Sequence, residues 1–228
     1  MFTNVNLAAP LGALALLGTG FLFLLLALAF VLTLVKRKFR ANKSVLVAGA
    51  LIAAAYVGVL LIFSLKSSEQ ALARGQEKHF CEIDCHLAYS IVDVTDSKTL
   101  GAPPQQAIAA GTFRSITIKT RFDENTISPN RGTGLLYPNS RVVTLIDEQG
   151  RKYLPSSEGQ RVLEQNRSAG TAMTSPLRPG ESYATTVVFD LPADARNPSL
   201  LINEGEWLTH FVIGHENSPF HKLTKFQL

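Results

Sequence analysis

Charge is what the opening stretch of this sequence lacks. No charged side chain occurs from Met1 to Val35, none lies between Lys43 and Lys66, and no acidic residue precedes Glu69. Charged residues make up only 18% of the chain, against 46% hydrophobic. That imbalance excludes a soluble cytosolic enzyme. Five cations (Lys36, Arg37, Lys38, Arg40 and Lys43) sit in one short loop. Beyond them, seventeen basic residues face eighteen acidic ones, so the distal part is one negative charge net and the overall +4 comes from the loop alone. The basic balance is therefore a topology signal and not a nucleic-acid-binding surface. Catalytic signatures are missing as well: no G-x-S-x-G, P-loop or H-E-x-x-H occurs, and no enzymatic site is expected.

What is present instead is two long apolar runs. Residues 11–35 and 44–65 each match the length of about 20 residues that a bilayer core demands. The first run lacks a basic n-region, exceeds a signal peptide's apolar segment, and is followed at once by cations, so it reads as a retained span. The loop 36–43 (KRKFRANK) is then the turn of a helical hairpin, held in the cytoplasm by its positive charge. Both termini, and everything after Lys66, fall outside; in a bacterium this is the periplasmic side of the inner membrane. No Asp, Glu, Lys, Arg or His lies inside either span, which argues for an anchor and against a transporter. Ala50, Ala54 and Gly58 share one face of the second span, with Gly49 and Ala53 one step over. Such small residues let helices approach closely, most simply against the first span.

After a stalk at 67–85, expected to be helical or frayed from Ser67 to Gly75, the pattern changes to period two. Strands are expected at Leu87–Val92, Phe113–Phe122, Val142–Ile146, Arg151–Leu154, Tyr183–Leu191, Ser199–Ile202 and Trp207–Ile213. Long loops are expected at Thr99–Gly111 and Ile127–Ser140, with a helical patch near Glu158–Gln165. Short β-branched and aromatic runs between Pro, Gly, Asn and Asp clusters indicate an all-β Greek-key sandwich of about seven strands over 86–228.

Particular turns sharpen this. Asp147, Gly150 and Tyr153 form a D-x-x-G-x-x-Y hairpin, followed by Pro179-Gly180-Glu181 and then by Phe189 and Pro192. In these features the chain resembles the telokin-like, immunoglobulin-like exported domains of bacteria. The resemblance implies an interaction module and carries no activity with it. The layout, two spans followed by an exported β domain, is also similar to cytochrome oxidase subunit two. That family's copper motif is Cys-x-x-x-Cys-x-x-x-His-x-x-Met. Cys81 and Cys85 match its first half, but Tyr89 and Val92 stand where the His and Met belong.

Cys81 and Cys85 are the only cysteines and are flanked by His79 and His86. Three readings of them stay open. The first is a disulfide, which an oxidising compartment favours. It requires a bend, because residues four apart on a strand lie about 13 Å from one another and a bridge needs Cα atoms within about 7 Å. The second is a copper or zinc site built from His79, Cys81, Cys85 and His86, with a composite variant that adds His210, His215 or His221 from the expected last strand and tail. The third is a redox dithiol. The leading functional expectation is a non-catalytic, membrane-anchored binding or assembly module without cofactor. Its partners would be the bilayer and another membrane or exported protein, not nucleic acid. The alternative is a copper-handling or thiol-redox accessory of a respiratory complex. Arg121-Phe-Asp-Glu124 reads as a strand end with a solvated charge pair.

Charge placement alone generates a first prediction. Protease added to right-side-out spheroplasts should digest the region after Lys66 and spare the 36–43 loop. Immunoblotting with tags at either place reads the outcome, and cleavage of the loop with protection of the domain would reverse the orientation.

Overall fold

A computed structural model describes residues 8–80, 85–125 and 132–228. The chain divides into two units. One comprises Leu7–Ser68 and Trp207–Lys222; the other is built from Glu69–Glu206 with Leu223–Leu228.

In the first unit, α1 (Ala8–Val35) and α2 (Phe39–Lys66) form an antiparallel hairpin. Both helices are long and apolar enough to cross a membrane. The connecting turn is tighter than the expected eight residues. It holds only 36–38, with Arg37 at φ 53°, so Arg40 and Lys43 already lie in the first turns of α2. Where the helices leave this turn, the Thr33 hydroxyl donates to the buried Asn42 side chain. Gly49 faces the first helix, its absent Cβ leaving room for Phe23 and Leu26 at 3.7–3.8 Å. Of the two small-residue faces, this is the one that packs: Ala50 and Ala54 are exposed and Gly58 has nothing near it. The 207–222 segment, expected to begin as a strand at Trp207–Ile213, instead starts with a 3-10 helix at Trp207–Phe211. Its apolar residues mimic a strand pattern, but most of them point outward.

The second unit contains two sheets. Strands β1 (Gln70–Leu72), β9 (Thr224–Gln227), β8 (Ser199–Glu204), β5 (Arg141–Ile146) and β6 (Lys152–Tyr153) lie in that spatial order. The second sheet runs β2 (Lys78–Phe80), β3 (Leu87–Leu100), β4 (Ala107–Phe122) and β7 (Ser182–Leu191), antiparallel throughout. In the first sheet, β1 and β9 are parallel and the other pairs antiparallel. Counting the helices, the chain as a whole mixes α and β, and the expectation of an all-β fold holds only for the sheet unit. Two of the expected gaps are strand: the presumed stalk carries β1 and β2, and the presumed loop 99–111 is largely the β3–β4 ribbon, closed by a turn at 101–106. Of the loop expected at 127–140, residues 127–131 lie outside the described residues.

Alternation explains how the sheets share a core. Leu87, Tyr89 and Ile91 of β3 face inward across from Phe122 and Ile118 of β4, and meet Leu145, Leu200, Ile202 and Phe226 of the other sheet. The outward face of the four-stranded sheet is covered at one end by α3 (Ser157–Gln165). Ser156 caps that helix by accepting from the Gly159 amide at 3.2 Å. Val162 and Leu163 then join Phe113, Val188 and Ala107 in a smaller core. The Asp147–Tyr153 motif is turn chemistry, as its spacing suggests. The Asp147 carboxylate accepts from the amides of Gln149 and Arg151, from the Arg151 guanidinium and from the Tyr153 hydroxyl, all at 2.7–3.0 Å. Burial raises this carboxyl, but those donors, Arg151 first, outweigh it and hold it at about 2. Gly150 supplies the positive φ of 80° that the turn needs.

Phe226 is fully buried on the four-residue β9, which joins β1 to the rest of its sheet. Phe226→Ala should lower the unfolding free energy by ~3–5 kcal/mol. Lys225→Ala removes only a solvent-facing ion pair with Glu69 and should cost less than about 1 kcal/mol. Denaturant titration of the detergent-solubilised chain distinguishes the two.

Candidate functional site

The chemistry expected around His79 and His86 is organised by a residue that sequence reasoning passed over. In β2, β3 and β4, His79 lies opposite Ala88, and Ala88 opposite Arg121. Their neighbours Phe80, Leu87 and Phe122 face the core. By alternation His79 and Arg121 therefore share the outward face, at the end not covered by α3. Glu77 and Asp123, two residues from each along their strands, join them on that face.

There the four side chains form one connected knot. Arg121 grips Glu77 in a two-pronged pair, Nε to Oε1 and Nη2 to Oε2, both at 2.7 Å. The same guanidinium reaches Asp123 Oδ2 at 3.0 Å. His79 Nε2 lies 2.9 Å from Oδ2 as well, and because a carboxylate only accepts, that nitrogen carries the proton. Asp123 Oδ1 takes the Asn125 amide at 3.0 Å. Asp123 is 4% exposed and Arg121 partly buried, so these two are not a solvated charge pair but members of a partly buried ion-pair network, whereas Glu124 is exposed. Burial pushes the Asp123 carboxyl up; the hydrogen bonds from His79, the Asn125 amide and Arg121 more than reverse this and hold it below the usual carboxylate range. Glu77 is lowered chiefly by its hydrogen bonds from Arg121. Arg121 is held more firmly cationic than usual, first by Glu77.

His86 reaches the same residue through its backbone. Its Nδ1 donates to the Asp123 carbonyl at 2.5 Å, its own carbonyl accepts from the Asp123 amide at 2.7 Å, and its ring stacks on Phe122 with centroids 5.0 Å apart. Cys85, immediately before it, is fully buried in a left-handed conformation with φ 56°. The structure thus brings His79 and His86 together on Asp123 and sets Cys85 beside them. Cys81 lies outside the described residues, and with it the expected Cys81–Cys85 bridge. The other histidines are placed differently from expectation. His210, expected in a last strand, lies in the 3-10 helix, and His215 and His221, expected in the strand's tail, lie in the residues that follow it. Their Nδ1 atoms are engaged locally, with the Trp207 carbonyl, the Asn217 amide and the Lys222 carbonyl.

Could the knot hold a metal? The ligand atoms of Glu77, His79 and Asp123 lie within 4.8 Å of one another, and the buried Nδ1 of His79 has no hydrogen-bond partner among the described residues. Against this, Arg121 already supplies the positive charge that both carboxylates bind. A cation there would have to displace it. The simplest chemistry of the arrangement is structural: it locks the short β2 and the end of β4 to one another.

The pH dependence follows from the two carboxyls. Both are lower in the folded chain than their ordinary values of 3.8 and 4.5, so the unfolded chain binds more protons as pH falls. Their contribution is complete above about pH 5 and disappears as pH drops through the depressed folded values. Asp123→Asn should cost ~1–3 kcal/mol at neutral pH by leaving His79 and Arg121 poorly satisfied. It should also flatten the acid side of a stability–pH profile measured by denaturant melts; an unchanged slope would show that the knot contributes nothing.

No protein-family description matches the chain, and no curated protein does. Among solved structures it is similar to a secreted protein of Mycobacterium tuberculosis, MPT63, at 13% identity and a TM-score of 0.43, over 72% of this chain and all of that one. It is also similar to a conserved hypothetical protein from Bacillus anthracis, at 12% identity and a TM-score of 0.41, over 57% of this chain and 89% of the other. A third is the yjhA protein of Bacillus subtilis, at 13% identity and a TM-score of 0.40, over 69% and 98%. Likeness at this level transfers no activity.

Proposed function

We propose that this chain is a membrane-anchored, extracytoplasmic binding or assembly module without catalytic activity. In this reading the hairpin sits in a bacterial inner membrane with the Lys36–Lys43 cations inside. The sheet unit, an immunoglobulin-like sandwich of the telokin-like kind, is exported, and Cys81 and Cys85 are bridged in that oxidising compartment.

One observation carries the binding role. Strand β3 is much longer than its outer neighbour β2, whose pairing stops at Tyr89. Among the described residues no strand covers the outer side of β3 from Val92 to Thr99. The other edges are managed: β1 and β6 are two or three residues long, and β7 is flanked by the 169–171 segment through the Thr171 and Thr186 amides. A long open edge is a ready place for an extended segment of another protein to add a strand. The exposed Asp93, with bulges at either end of the stretch, discourages indiscriminate pairing; Asp96 is held by Arg114 and Lys98 by the Gly111 carbonyl within the sheet.

The second reading, a copper- or zinc-handling accessory using His79, Cys81, Cys85 and His86, draws on the unpartnered Nδ1 of His79. One experiment separates the two. A photo-crosslinking residue at Thr95, in the full chain in native membranes, should give a discrete adduct, and the same residue at Glu158 on α3 should give none. No adduct at Thr95, together with stoichiometric copper or zinc that His79→Ala abolishes, would replace the binding reading with the metal one.

A further inference from the structure

The 207–222 segment leaves the sheet unit after β8, joins the hairpin's unit and returns at β9. For an irregular segment it is unusually self-sufficient in hydrogen bonds. After the 3-10 helix its amides continue the same rhythm: Val212 to Thr209, His215 to Val212, Ser218 to His215 and His221 to Ser218, at 3.0–3.2 Å. Side chains complete the set. The Ser218 hydroxyl donates to the Val212 carbonyl at 2.5 Å, the Asn217 amide group to the Thr209 hydroxyl at 2.8 Å, and the Lys222 amide donates to the Ser67 hydroxyl at 2.8 Å. Turn bonds of this kind form in water as well, as at Gly150 to Asp147 and Ala195 to Pro192. Non-helical backbone at membrane depth requires them.

The surface of the segment is inverted to match. Trp207 is 65% exposed and Phe220 is 71% exposed, with Leu208 and Phe211 also outward. The polar Ser218 is buried instead. From Trp207 to His221 the single Asp, Glu, Lys or Arg is Glu216. Trp207 and Phe211 meet edge to face at 5.5 Å. Phe220 stands at φ 65°, a conformation that a bulky side chain adopts only under constraint. An outward aromatic is thus held in place and not left to chance.

Two contacts within this unit set the level of the segment on the hairpin. Tyr56 lies ten residues before Lys66, roughly 15 Å along the helix, in a hydrocarbon core about 30 Å thick. Its hydroxyl donates to the Phe211 carbonyl at 2.7 Å. On α1, Gly12 comes so close to Ile213 that a Cβ there would collide with the Ile213 carbonyl oxygen and sit 2.9 Å from its amide nitrogen. The turn therefore lies alongside the apolar helices and not beyond their ends.

We propose that residues 207–221 are immersed in the outer leaflet beside the hairpin, with Trp207, Leu208, Phe211 and Phe220 against lipid. This rests on the reading of the hairpin as membrane-spanning. The occupant of the aromatic face is the same bilayer, since that face continues the lipid-facing surface of the helices, and Trp and Phe suit the boundary between acyl chains and headgroups. The segment is thus a second point of attachment, contributed by a connection between two strands.

Trp207 is the only tryptophan of the chain, so its fluorescence reports this segment alone. The full chain is reconstituted into phosphatidylcholine vesicles with or without bromine on the acyl chains, and iodide is added to the water. Bromination should lower Trp207 emission roughly twofold, as for a residue at the interface, while iodide has little effect. Quenching by iodide and not by bromine would place the turn in water. Resistance to both would place it against protein, such as a second copy. Either result overturns the proposal. A Trp207→Phe chain carrying Phe23→Trp tests the anchor separately. Loss of bromine quenching there too would reject the membrane-spanning hairpin, whereas quenching at position 23 without quenching at 207 rejects only the immersed turn.

Discussion

The parallel pairing of β1 with β9 is the constraint on which the rest of the sheet unit depends. Three register pairs, Gln70 with Thr224, Ala71 with Lys225 and Leu72 with Phe226, join the first strand after the hairpin to the last strand of the unit. Without β9, β1 would have no sheet to enter, and Phe226 would leave a void between the two layers. Parallel neighbours need a long crossover, and here the crossover is nearly the whole unit. Every other pair in the unit is antiparallel; β3–β4 and β5–β6 are local, whereas β4–β7 and β5–β8 join strands far apart along the chain.

The outward face of the four-stranded sheet shows how one alternating surface is used in two ways. Toward one end Phe113 and Val188 are covered by an amphipathic helix. Toward the other, Arg121 is neutralised by Glu77 and Asp123, and His79 is hydrogen-bonded to the same Asp123. Apolar burial is forgiving of exact partners, whereas buried charge is not. The second end therefore depends on every member of its network being present.

Much of this was legible in the sequence, and the misses have physical causes. The two long helices stand out because their apolar runs are unbroken by charge. Strands β4, β5, β7 and β8 stand out because their alternation is carried by several β-branched residues each. Strands β1, β2 and β9 did not. Each is three or four residues long, and what makes each a strand is a partner rather than a pattern. Trp207–Ile213 misled in the opposite sense: its apolar residues are outward, and composition alone does not say what lies on the other side of a hydrophobic side chain. The ion-pair knot was hidden for a related reason. His79 was visible as a possible ligand, but Glu77, Arg121 and Asp123 acquire meaning only once β2 and β4 are placed on either side of Ala88.

The separation of β1 from β9 along the chain has a consequence for how the unit is made. The hairpins β3–β4 and β5–β6 can form as soon as they have emerged, because their contacts close modest loops. The five-stranded sheet stays incomplete until β9 has arrived as well. Until β9 is made, β1 waits with an unpaired edge and Leu72 uncovered. Such an intermediate is exposed to misassociation, and the time spent in it is set by how fast the rest of the unit is delivered. The order of assembly is therefore written into the connectivity, with the first strand after the helical hairpin among the last to be secured.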